Sequence, residues 1–113
     1  MSNDLSQSSC EACRLDAPVL SEQEIKELAP QIPSWIVHEE DGIKRLICSF
    51  AFSSYEDSVN FTNKVAELAE QEDHHPEIVL EWGNVTVSWW SHKIKGLHKN
   101  DFICASKTDD LFK

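Results

Sequence analysis

The stretch "EIVLEWGNVTVSWW", residues 77–90, decides the fold. Two β-prone runs, "EIVLEW" and "VTVSWW", flank Gly83-Asn84, a pair suited to positive φ and so to a tight hairpin. A two-residue loop there sets Trp82 opposite Val85, Leu80 opposite Val87 and Ile78 opposite Trp89. All six apolar side chains then share one face, so turn chemistry and side-chain period agree. Glu81, Thr86 and Ser88 fall on the other face, with Val79 an apolar exception.

Working outward, the segment before this hairpin is helical. In "SSYEDSVNFTNKVAELAEQED", Tyr55, Val59, Thr62, Ala66 and Ala69 recur at three- and four-residue steps, flanked by Phe61, Val65 and Leu68. Ser53 or Ser54 can cap a helix over about residues 54–72. Upstream, "WIVHEEDGIKRLICSFAF" reads as a first hairpin turning at Asp41-Gly42. Ser21 and Glu24 form a capping pattern for a short helix over about 21–29, which Pro30 and Pro33 stop. After a loop at 92–99, "NDFICASKTDDLF" makes a last helix with Phe102, Ile103 and Ala105 available for the core. The order αββαββα predicts an α+β fold: a four-stranded antiparallel sheet with three helices packed on one face.

At 113 residues the chain has room for one core. Residues 1–19 are polar and serine-rich and are expected to form a flexible tail, leaving 20–113 as the single domain. The tail has no basic and apolar regions of a signal peptide, and no apolar run reaches the roughly 20 residues that span a bilayer. A cytoplasmic protein with reduced cysteines is expected. Lys and Arg total 10 against 20 Asp and Glu, a net charge of −10 that disfavours nucleic-acid and membrane partners. The sole candidate basic patch is "SHKIKGLHK", residues 91–99. Cys10 and Cys13 give two of the four ligands of a zinc site and lie in the tail, far from any βαβ unit, so a metal or redox role is disfavoured. Cys48 and Cys104 are isolated and expected to be buried.

Chemistry points to the junction before the second hairpin, "AEQEDHHPEI", residues 69–78. Extending the hairpin register sets Ser91 opposite Pro76 and His92 opposite His75. A third histidine thereby joins His74 and His75, with opposed Cβ atoms about 4.5–5.5 Å apart. Solvated, idle histidines are the plain alternative, and His38 and His98 fit it. A metal site is the second: the doubled histidine lacks the i, i+4 spacing of HExxH, and no cysteine lies nearby. Acid–base catalysis is the third, since an imidazole with a pKa of about 6.5 exchanges protons near neutrality.

Glu70-x3-His74-His75-Pro76-x5-Trp82-x9-His92-x8-Asp101 resembles the signature of the pterin-4a-carbinolamine dehydratases. The likeness runs from about residue 20 to 112 and includes Ser34-Trp35; "CEACRLDAP" is similar to the start of bacterial members that work with phenylalanine hydroxylase. The resemblance implies dehydration of a 4a-hydroxytetrahydropterin to the quinonoid dihydropterin, recycling the cofactor of an aromatic amino acid hydroxylase. It implies no cofactor or metal. His74 and His92 would be the acid–base pair, with His75 holding the pterin and its hydroxyl. Asp73, Trp90, Ser91, Glu70 and Asp101 would line the substrate site.

Strict alternation would send His74 away from His75, so residues 73–76 are expected to leave the strand at Pro76. Glu70 can orient an imidazole. Asp101 opens the last helix, where an acid complements the dipole, and that structural role is the favoured one. His98 stands where many relatives have the Ser or Thr of a capping box, which puts the helix start in question. The resemblance also implies a homodimer or homotetramer, with phenylalanine hydroxylase as a suggested partner, and unprotected sheet edges fit self-association. The rival readings are an interaction module on the same fold and a pterin-binding protein of molybdopterin metabolism.

Overall fold

The structure, a computed structural model, describes residues 19–92 and 94–112. The expected tail, with Cys10 and Cys13, lies outside the described residues, apart from Val19. Helix α1 (Glu22–Leu28) opens with the capping box: Ser21 Oγ accepts from Glu24 N–H, and Glu24 accepts from Ser21 N–H. A 3-10 turn over Ala29–Gln31 then leads to strand β1 (Ile36–Glu40). Strand β2 (Ile43–Ala51) returns through Asp41 and Gly42, at φ 55° and 78°, the two left-handed residues of a type I′ hairpin. Ser54 caps helix α2 (Tyr55–Glu72), and strands β3 (Glu77–Glu81) and β4 (Asn84–Trp89) precede helix α3 (Lys99–Phe112).

The four strands make one antiparallel sheet in the order β1-β2-β4-β3. Leu46, Cys48 and Phe50 of β2 and Val85, Val87 and Trp89 of β4 face the helices. Alternation puts their neighbours on the opposite, helix-free face. Helices α2 and α3 cover the apolar face, and Ile25 of α1 joins the same core. The α+β architecture expected from the element order is the one observed.

Two details differ from expectation. The hairpin register is shifted: Ile78 pairs with Val87, Leu80 with Val85 and Glu81 with Asn84. The loop is Trp82-Gly83, and Gly83 alone has positive φ, at 72°. The neighbouring strand explains the shift. Asn84 pairs with Ala51 of β2, and Phe52 N–H donates to Gly83 O at 2.9 Å, so Asn84 is already inside the ladder. A Cβ at Gly83 would stand 3.1 Å from Phe52 O, a tight approach that glycine relieves. Because the shift is two residues, strand parity survives, but Trp82 is put out into solvent at 70% exposure.

The second difference lies on α2. Its buried stripe runs through Ser58, Phe61, Val65, Leu68 and Ala69, leaving Tyr55 and Ala66 exposed. The buried stripe thus takes in Phe61, Val65 and Leu68, the apolar residues that flanked the expected period, with Ala69 the one member of that period to be buried.

Candidate active site

Helix α2 ends in a reversal that sends two adjacent histidines into opposite environments. Asp73 adopts left-handed backbone, φ 52° and ψ 42°. Its N–H donates to Glu70 O at 3.3 Å, and His74 N–H donates to Ala69 O at 3.1 Å. Together these bonds form a Schellman motif, whose left-handed position favours glycine. After it, residues 74–76 leave regular structure, as the proline leads one to expect, and β3 begins at Glu77.

His74 turns inward. It is 4% exposed and lies parallel to Trp89, with ring centroids 5.6 Å apart and 8° between planes. Trp89 is fixed in turn, its Nε1–H donating to Thr108 Oγ1 at 3.1 Å. His74 Nε2–H donates to Asp101 Oδ1 at 2.6 Å. Asp101 is fully buried, and its Oδ2 accepts from Ser91 Oγ–H at 2.9 Å and from His98 N–H at 2.8 Å. Three donors satisfy this carboxylate and offset the cost of burying its charge. Asp101 does sit in the first turn of α3, as expected, and it also fixes the His74 ring. Ser91 and Asp101, expected among the residues lining the pterin, are joined to His74 through the Asp101 carboxylate.

His75 turns outward. Its side chain is 57% exposed, and its Nε2–H donates to Glu70 Oε1 at 2.8 Å. His92 Nε2–H donates to the His75 carbonyl at 3.1 Å, and its ring stacks on Trp90 at 4.4 Å. His92 therefore does meet His75, but not through strand pairing. In the observed register β4 ends at Trp89, and Ser91 instead bridges to Gly96 through Ser91 N–H to Gly96 O at 2.8 Å. That loop, not the hairpin, carries His92 to His75. Val19 presses on it so closely that a Cβ at Gly96 would lie 2.6 Å from Val19 Cγ1.

In all three imidazoles Nε2 donates to an oxygen, and in the exposed rings of His75 and His92 the neutral form carries its basic lone pair on Nδ1. Such a set can take a proton from one ligand atom and return it to another. Asp73, Glu70 and Trp90 adjoin these rings in the chain or in space.

Two residues acquire contacts that the sequence reading missed. His98, expected to be idle, lends Nδ1 as acceptor to Asn100 N–H at 3.2 Å. An imidazole thus takes the place of the capping hydroxyl, and α3 starts cleanly at Lys99. Arg45 of β2 lies with Cζ 4.0 Å from the Trp90 ring centroid. No sequence period marks it; only the β2–β4 register brings it there, since Leu46 pairs with Trp89. His38 stays peripheral, 3.8 Å from Glu40. Cys48 and Cys104 are buried, as expected, and burial, with the charge of Asp109 adding to it, pushes the Cys48 thiol up to about 11. Among the described residues, no group of three or more His, Cys, Asp or Glu could hold a metal ion. No described helix is long and apolar enough to cross a membrane.

Comparison with known proteins agrees with the signature. The family described as pterin 4 alpha carbinolamine dehydratase matches residues 18–111. Relatives from Nitrosococcus oceani and Saccharophagus degradans, assigned by name to the pterin-4-alpha-carbinolamine dehydratases, are 58% and 51% identical. Each alignment covers 97% of both chains. The crystal structure of a transcriptional coactivator/pterin dehydratase from Brucella melitensis superposes with a TM-score of 0.76 at 27% identity, covering 85% of this chain and all of that one. The chain belongs to the pterin 4 alpha carbinolamine dehydratase family, a family of hydro-lyases.

Proposed function

We propose that the protein dehydrates 4a-hydroxytetrahydropterin to the quinonoid dihydropterin by histidine acid–base catalysis. The supporting observation is the contact of exposed His92 with the His75 carbonyl, next in the chain to a His74 that is held by buried Asp101. The chemistry suits these groups. The 4a carbon bears both the hydroxyl and N5, so the N5 lone pair expels the hydroxyl once an acid protonates it. A base removes the N5 proton, and water leaves with no change of oxidation state.

His74 and His92 serve as the acid–base pair. Asp101 holds His74 in one tautomer, the service a buried carboxylate gives a catalytic imidazole elsewhere. His75 holds the pterin and its hydroxyl, with Asp73, Glu70 and Trp90 around it. The reaction needs no metal or redox cofactor, so a chelator leaves turnover unchanged. In its pathway the protein recycles the pterin of an aromatic amino acid hydroxylase, with phenylalanine hydroxylase as the partner, in the cytoplasm. Spectrophotometry on freshly generated carbinolamine tests this. His74→Ala and His92→Ala should each lower turnover at least about a hundredfold; equal rates in wild type, variants and buffer would sink the proposal.

Self-association belongs to the same reading. Residues 48–51 of β2 pair with β4 on one side but extend past the end of β1 on the other. That open edge suits a second copy, and light scattering on the purified protein would report a dimer or tetramer. The Brucella neighbour is named as both a transcriptional coactivator and a pterin dehydratase, which favours an interaction role as the second reading. Co-purification of a regulator with a protein lacking turnover would support it.

A further inference from the structure

We propose that Arg45 is a positioning residue for the site, holding Trp90 in place so that Trp90 fixes the His92 ring. The inference rests on the reading of His92 as a reacting group.

Arg45 is spent in an unusual way. Its side chain is 14% exposed, and its Nε–H is buried with no hydrogen-bond partner. Leaving a charged donor unsatisfied is costly, and such groups in a folded protein call for a reason. The nearest carboxylate, Glu77 Oε1, is 3.7 Å from Nη1, too far for a hydrogen bond to repay that cost. What the guanidinium does make is a stack, with Cζ 4.0 Å from the Trp90 centroid. Trp90 in turn stacks with His92 at 4.4 Å, and His92 donates to the His75 carbonyl. A continuous chain of contacts therefore runs from β2 to both outward histidines.

The geometry explains why support is needed here. β4 ends at Trp89, so Trp90 lies past the last ladder pair and no strand neighbour holds its backbone. His92 sits in the loop beyond. Arg45 comes from β2, which is paired on both sides at this level: Arg45 with His38, and the adjacent Leu46 with Trp89. A rigid strand thus steadies a side chain at the frayed end of its neighbour. A flat guanidinium matches an indole face, which an ammonium group does not.

Two measurements decide the matter. Arg45→Met keeps length and bulk while removing the charge and the unpaired donor. Its thermal midpoint should stay at or above that of wild type, while kcat for dehydration falls about tenfold and KM, through Trp90 beside the pterin, rises by a smaller factor. Arg45→Lys, which restores charge without a planar stack, should recover only part of that loss. The second readout needs no catalysis. In NMR spectra the His92 ring protons, shielded by Trp90 in wild type, should move in Arg45→Met toward the positions of a freely exposed histidine. Unmoved His92 signals, or full turnover in Arg45→Met, would overturn the proposal. If wild-type protein proves inactive as a dehydratase, the function above fails, and the ring signals alone still decide whether Arg45 positions His92.

Discussion

The candidate site has two halves, built on opposite plans from adjacent residues. The inner half is His74 with Asp101, Ser91 and Trp89, buried and bonded through the Asp101 carboxylate. The outer half is His75 and His92 with Glu70 and Trp90, reached by solvent and held by single bonds and a stack. The difference is one of cost. Breaking the inner half strands a buried charge, whereas breaking the outer half exposes groups that water already satisfies. Stability should therefore reside in the inner half, and the outer half should be free to adapt to a ligand.

The sharpest way to break this contrast is Asp101→Asn. An amide cannot accept from three donors as the carboxylate does, and its own NH2 would face one of them. The expected loss is about 3 kcal/mol of stability in urea denaturation, with turnover down at least a hundredfold because His74 loses its anchor. Full stability in this variant would mean that Asp101 is not the keystone that its three bonds suggest. Asp73→Gly tests the joint between the halves. The left-handed backbone costs an aspartate about 1 kcal/mol relative to glycine, so the variant should be more stable by about that amount. If Asp73 helps hold the pterin, the same variant should bind substrate less well. A gain in stability with a rise in KM would show that the position keeps aspartate for function.

How far the sequence could be read follows the same division. Strand parity and helix positions depend on local pattern, so the helix-facing side chains of the second hairpin were legible. Register was not, because Gly83-Asn84 looks like a type I′ loop and only the neighbouring β2 shows that Asn84 is in the ladder. Asp41-Gly42, with no strand beyond it to claim either residue, was read correctly. The meeting of His75 with His92 was anticipated from the wrong pairing, and the Ser91–Gly96 loop supplies it instead. In the inner half His74, Ser91 and Asp101 were each singled out, but the bonds among them were not legible. Asp101 lies 27 residues from His74, and a carboxylate opening a helix has a sufficient local explanation in the dipole. His98 was misread for a related reason: imidazole is a rare cap, and only the bond to Asn100 N–H reveals it.

The smallest expected effect belongs to the outer half. Glu70→Gln keeps an acceptor near His75 Nε2–H but removes the charge. Both partners are largely in water, at 81% and 57% side-chain exposure. Solvent screening and the entropy of two free side chains reduce such a pair to little, so the denaturation midpoint should not move measurably. Any change in turnover would then come from the orientation of the His75 ring, and it should be confined to a few-fold rise in KM if His75 holds the pterin. A large fall in kcat at unchanged KM would instead move Glu70 into proton transfer, and the outer half would no longer be the adaptable partner of a rigid inner one. The midpoint and the kinetic split together distinguish these cases, because a passive surface pair changes neither.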